Sequence, residues 1–201
     1  MGRLYLYKMK KIITALAFFL FANAAIAQKD LLALNERNKY IYYRVDTAAG
    51  ITADTLQARS VRFLAMVSPK IKLRSAAHSG TAAGEGKFIT YGSGSLVRHV
   101  NGEVSYLVNI ECKDQKFRFW ITDLTFTPYQ RDRYGNFVPR LGIAYPLEGL
   151  AGKLDKGETN MVLVQTGAFC RQMGDKLKLY MTSSFTPKKE EKLKKVVTDK
   201  W

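Results

Sequence analysis

Two histidines, His78 and His99, are the only imidazoles in the chain, and a hydrolase would need one of them to serve as the base for a neighbouring serine. Ser79 follows the first directly. The run Gly92-Ser93-Gly94-Ser95 lies near the second, but it lacks the order of a nucleophile elbow, in which glycines stand two positions either side of the serine. Metal chemistry has less to work with: two histidines and two cysteines, all far apart, offer neither the paired helical spacing nor the close cysteine pairs that zinc takes. Gly84-Glu85-Gly86-Lys87 lacks the full spacing of a phosphate loop and reads as an ordinary hairpin. No cofactor or metal is expected.

A different set of residues suits binding. Arg118 and Trp120 alternate with Phe117, Phe119 and Ile121, so on a strand they share the face opposite those apolar side chains. Tyr129, Arg131, Arg133, Tyr134 and Arg140 follow within a short stretch. Rings supply stacking platforms and guanidinium groups supply forked donors, which fits sugars, phosphates or an anionic peptide.

The elements that must carry these residues are legible in outline. Tyr40 to Val45 is rich in aromatic and β-branched residues and is expected to be a strand. Thr52 is a candidate N-cap for a helix to Val67, with Leu56, Ser60, Phe63 and Val67 on one face beside Leu64, and Pro69 stops it. From Ile71 to Phe126 the pattern becomes short strands and turns. Asn101-Gly102 is the strongest hairpin signal and predicts a reversal between strands Ser95–Val100 and Val104–Cys112. In the second of these Val104, Tyr106, Val108, Ile110 and Cys112 form a buried face, with Ser105, Asn109 and Glu111 opposite, and a turn at Asp114-Gln115 leads into Lys116–Thr122. Two prolines and four glycines spaced through Tyr129–Leu154, just after Pro128, predict a long irregular loop. Ala168–Phe185 is expected to be a second amphipathic helix, striped by Phe169, Met173, Leu177 and Met181, with Cys170 and Tyr180 beside the stripe and Gly174 costing it about 1 kcal/mol.

The ends carry addresses. Arg3, Lys8, Lys10 and Lys11 precede an apolar run from Ile12 to Ala22 that finishes at Ala25-Ile26-Ala27, the layout of a cleavable signal peptide (1–27), too short and interrupted to span a bilayer. Met9 is an alternative start. With cleavage near Ala27 the chain is expected in the periplasm or secreted, with no transmembrane segment left and no cysteine nearby to take a lipid. A domain over 28–186 and a lysine-rich tail over 187–201 remain. The whole chain has 32 basic and 17 acidic residues, a net of +15; losing the four basic residues of the leader leaves +11. Such a charge favours anionic partners within a screening length of roughly 8 Å. Cys112 and Cys170 could form a disulfide worth roughly 4 kcal/mol in an oxidising compartment, or remain buried free thiols.

The order strand, helix, antiparallel strands, loop, helix resembles a secreted bacterial family described as a domain of unknown function with a TATA-binding-protein-like fold. The likeness rests on Tyr106-Leu107-Val108-Asn109-Ile110-Glu111, Lys113 to Arg118 and Ile121-Thr122-Asp123-Leu124 as a central hairpin, on Tyr42-Tyr43-Arg44-Val45 with the helix after it, and on Pro146-Leu147-Glu148. Gln115 departs from it, standing where that family more often has glycine. The resemblance implies an α+β fold, a curved antiparallel sheet with two helices packed on one face, and it implies no activity. Together these features suggest an exported, non-enzymatic binding module for an envelope component: an anionic glycan, a lipid headgroup or a protein. An envelope hydrolase using His78 or His99, and a purely structural domain, are the alternatives. Export makes nucleic acid an unsuitable partner.

Overall fold

The computed structural model describes residues 31–67, 72–74, 81–92 and 99–183, with 67 and 72–74 described by backbone alone. The leader, the lysine-rich tail, His78, Ser93 and Ser95 lie outside the described residues. The strands are β1 (Ala33–Leu34), β2 (Tyr40–Thr47), β3 (Lys72–Arg74), β4 (Thr81–Tyr91), β5 (Val100–Lys113), β6 (Lys116–Arg131), β7 (Phe137–Pro139) and β8 (Tyr145–Pro146). Helix α1 spans Ala53–Val67 and helix α2 spans Lys156–Thr182, with a 3-10 turn at Leu147–Gly149. The antiparallel sheet runs β1-β2-β6-β5-β4-β3, and β7 and β8 also pair with β6. This is the α+β arrangement that the element order implies.

Alternation builds the core. On β5 Val104, Tyr106, Val108, Ile110 and Cys112 are buried, and on β6 Phe117, Phe119 and Ile121 join them. Leu56, Ser60, Phe63 and Leu64 of α1 and Cys170, Met173, Leu177 and Met181 of α2 close the same layer, so both helices cover one face. Phe63 and Tyr180 bring the helices into ring contact at 5.8 Å.

β6 changes phase midway. Leu107 pairs with Thr122 and Ser105 with Thr125, so Asp123 and Leu124 together face the single residue Tyr106. Asp123 takes a left-handed φ of 52° at this bulge. The extra residue returns Leu124 and Phe126 to the core side, where both are buried.

The predicted hairpin at Asn101-Gly102 does not form. Both residues lie inside β5, Gly102 pairing with Thr90 on one side and Pro128 on the other, and Asn101 is the extra residue where Val100 pairs with Tyr91. Gly102 is there for contact: a Cβ would lie 2.5 Å from both the Phe126 ring and the Thr127 carbonyl oxygen. The chain instead reverses between Gly92 and His99, whose backbones are joined by a 3.0 Å hydrogen bond from the Gly92 amide.

The predicted turn at Asp114-Gln115 is present, and it also holds α1. The Asp114 carboxylate accepts from the Ala53 amide at 2.8 Å, while Gln115 donates to Ile51 and accepts from Ala48 through its backbone. Gln115 pays for the turn with φ 59°. Glycine there would relieve about 1–2 kcal/mol of left-handed strain against about 0.5–1 kcal/mol of extra chain entropy lost on folding. We therefore expect Gln115→Gly to stabilise the fold by about 0.5 kcal/mol, measured as a rise of a few degrees in thermal midpoint.

Two further expectations need correcting. Helix α2 starts at Lys156, twelve residues before the predicted Ala168, capped by Asp155, whose carboxylate accepts from the Glu158 amide at 2.8 Å. The expected loop from Tyr129 to Leu154 contains the end of β6, β7, β8 and the 3-10 turn, because β6 offers its backbone to short partners that no local pattern announces.

Polar side chains bind α2 to the sheet as well. Arg44, on the core side of β2, pairs through Nε with Asp46 at 2.7 Å and through Nη1 with Asp175 at 2.6 Å, and Lys178 reaches Asp46 at 3.2 Å. Burial opposes the Arg44 charge, but hydrogen bonds with Asp175, Tyr42 and Asp46 outweigh it and raise the guanidinium pKa. The helix comes this close because residue 174 is glycine, with Tyr42, Arg44 and Phe119 3.3–3.4 Å from where a Cβ would sit.

Candidate functional site

Of the residues singled out for binding, β6 carries Arg118, Trp120, Tyr129 and Arg131 along its length, while Arg133 and Tyr134 lie between β6 and β7 and Arg140 follows β7. Arg118 and Trp120 point outward as predicted, with the guanidinium carbon 5.2 Å from the indole centre. Val45 and Tyr43 are their neighbours on β2 and are about half exposed, at 54% and 53%. Arg118 does not present a bare charge. Its Nε donates to Glu111 at 2.9 Å and its Nη2 to the same carboxylate oxygen; these bonds, then one with Tyr43, raise its pKa.

Tyr129 stands at the far end of the same strand, nine residues from Trp120, or roughly 30 Å along a strand. It belongs to β6, not to a loop. Its hydroxyl donates to Glu103 at 3.0 Å, and the Lys87 ammonium donates to the other oxygen of that carboxylate at 2.6 Å. Glu103 is only 8% exposed. Burial first, then the Glu103 bond, pushes the Tyr129 hydroxyl up to about 12. Tyr129 therefore braces the sheet end, and Lys87 and Glu103, which no spacing rule connects, are part of that brace.

Beyond it, β6 and β7 form a hairpin. Arg131 pairs with Phe137 and lies over its ring, 5.0 Å from the centre, and the His99 ring is 6.2 Å from the same phenyl. Asp132 organises the tip by accepting from the Tyr134 and Asn136 amides, each at 2.8 Å. Slight desolvation disfavours its charge, yet the bonds from Asn136 and Tyr134 outweigh this and hold its carboxyl below the usual range. Arg133 sits 5.5 Å from the exposed Tyr134 ring, and Arg140 follows β7 with its amide bonded to the Pro128 carbonyl at 2.9 Å.

Six of the seven predicted residues thus fall into two groups, and Tyr129 belongs to the brace between them. Arg118 and Trp120 form a charge-compensated aromatic patch. Arg131, Arg133 and Arg140 form a basic one, and among the described residues none of these three arginines has a carboxylate partner within 4.0 Å. Phe137 is the residue that sequence reading missed, since its role depends on the β6–β7 pairing.

Catalytic groups do not converge among the described residues. His99 is exposed, its ring packs beside Phe137, and its side chain makes no hydrogen bond there. No group of three or more His, Cys, Asp or Glu residues able to hold a metal occurs among the described residues. Cys112 and Cys170 are free and buried. Burial pushes their thiols up to about 11 and about 12, Cys112 beside Ser60 and Cys170 near Tyr106. Tyr106 and Cys112 are six residues apart on β5, roughly 20 Å, so a bridge would require the layers to shift. No helix among the described residues is long and apolar enough to cross a membrane. An open groove of about 560 Å³ lies between the end of β4 and α2, lined by the stacked Phe88 and Phe169 and by Arg171. Gln165 closes one side of it with a two-way amide bridge to the Tyr91 backbone.

Neither a family model nor a curated protein matches the sequence. Among solved structures, a DUF4468 family protein from Bacteroides ovatus is similar over 79% of this chain and 95% of its own, with TM-score 0.56 and 12% identity. A TBP-like protein from Parabacteroides distasonis is similar over 71% of this chain and 92% of its own, with TM-score 0.52 and 12% identity. At such identity the likeness is one of architecture, and the architecture is the TBP-like fold that the central hairpin implies: an open antiparallel sheet with both helices on one side.

Proposed function

We propose that the chain is an exported, non-enzymatic module that binds an anionic component of the cell envelope through its helix-free sheet face and the β6–β7 hairpin. The observation that carries this reading is that Arg131, Arg133 and Arg140 share the β6–β7 hairpin and the turn after it with no carboxylate partner among the described residues, Arg131 lying over the Phe137 ring. The leader pattern supports export, and the scattered arrangement of His99 and the buried thiols supports binding over catalysis.

Binding of this kind depends on salt, because cations at exposed positions lose their reach when the screening length shortens from roughly 10 Å at 0.1 M to roughly 3 Å at 1 M salt. Capture from an envelope extract at low salt should retain an anionic component. The charge-removed variant Arg131→Gln, Arg133→Gln, Arg140→Gln should lose it, as should wild type at high salt. Equal recovery by both proteins at every salt concentration would reject the hairpin as the binding element.

A further inference from the structure

The two most exposed large hydrophobic side chains among the described residues are Leu141 at 94% and Tyr134 at 78%, and both belong to the segment that carries the three unpaired arginines. A soluble glycan or a free phosphate would engage the arginines but would give Leu141 nothing to bury against. A lipid surface satisfies both. Its phosphates meet guanidinium groups, its interfacial zone suits a tyrosine ring, and its acyl boundary takes an aliphatic side chain. Asp132 is the sole acid between Tyr129 and Leu147; its Oδ1 accepts from the Tyr134 and Asn136 backbone amides and its Oδ2 from the Asn136 side chain at the hairpin tip.

We infer that the β6–β7 hairpin and the turn after it dock on an anionic lipid bilayer, with Arg131, Arg133 and Arg140 on phosphates and Tyr134 and Leu141 inserted at the interface. This rests on the binding reading above and narrows its partner to one class. Three cations and two apolar side chains make a weak, reversible attachment, since stable anchoring takes more buried hydrocarbon than this.

The test is sedimentation of the exported protein with vesicles of phosphatidylcholine alone or mixed with phosphatidylglycerol, its N-terminus established by mass spectrometry. Wild type should bind the mixed vesicles and not the neutral ones. Each Arg→Gln change at 131, 133 or 140 should weaken binding roughly fivefold. Leu141→Ser, which leaves the charge untouched, should weaken it roughly tenfold. Circular dichroism of each variant confirms that the fold is kept. Leu141→Ser binding as well as wild type, with heparin displacing both equally, would overturn the inference in favour of a soluble polyanion. Binding untouched by all four changes would overturn it in favour of another attachment, such as a retained leader. No vesicle binding, alongside salt-sensitive capture of an envelope glycan or protein, would end the lipid inference and leave the broader reading standing. Failure of both assays would end both.

Discussion

Gly102→Ala is expected to lower stability by about 3 kcal/mol, read as a fall in the denaturant midpoint with an unchanged slope. The added methyl would lie 2.5 Å from the Phe126 ring and 2.5 Å from the Thr127 carbonyl oxygen. The ring can turn; the backbone oxygen cannot move without displacing the β5–β6 pairing at Pro128. Phe126→Leu in the same chain should therefore recover only part of the loss. The value is large for one methyl because the site is in mid-sheet, with Thr90 on one flank and Pro128 on the other. An unchanged midpoint would mean that residue 102 sits in a flexible turn after all.

Arg44→Ala should cost about 2 kcal/mol. Breaking a fully buried pair costs about 3–5 kcal/mol, but Arg44 is 23% exposed and Asp175 62%, so solvent recovers part of it. Asp46, at 9%, is left with Lys178, at 51%, as its remaining ion-pair partner. Arg44→Lys should rescue little, because one ammonium cannot occupy the Nε and Nη1 directions that reach Asp46 and Asp175 separately. Most of the loss should survive 1 M salt, while Lys178→Ala, at a 51% exposed position, should cost no more than about 0.5 kcal/mol. If Arg44→Ala unfolds at the same denaturant concentration as wild type, the strand-to-helix network is ornamental.

The contrast between β5 and β6 explains what could be read ahead of the coordinates. β5 alternates without interruption from Val104 to Cys112, and its buried face follows directly from a period of two. β6 obeys the same rule to Ile121 and then breaks it at Asp123, because a bulge answers to the register of the neighbouring strand, which a local pattern does not contain. Asn101-Gly102 misled for a related reason: glycine permits a turn and also permits a ring to lie on the backbone, and only the tertiary neighbour decides between them. The first half of α2 is poor in helix formers, with Gly157, Thr159, Val162, Val164, Thr166 and Gly167, so packing outweighs propensity there. Asp155 with Glu158 was the available signal. As for the site, the outward side chains of Arg118 and Trp120 were legible from alternation, whereas the grouping of Arg131 with Phe137 and the loss of Tyr129 to Glu103 depend on pairings between distant segments.

The odd residue at Asp123 gives β6 two independent halves. Everything after Leu124 takes its inside and outside from that point onward: with residue 123 drawn into plain alternation Phe126 would face solvent and Arg131 the helix side, whereas deleting Asp123 would remove the bulge and leave both facing as they do. A hairpin transplanted onto another sheet of this shape would have to bring its bulge along or drop residue 123, because with that residue present the basic end faces outward only by virtue of the one-residue offset.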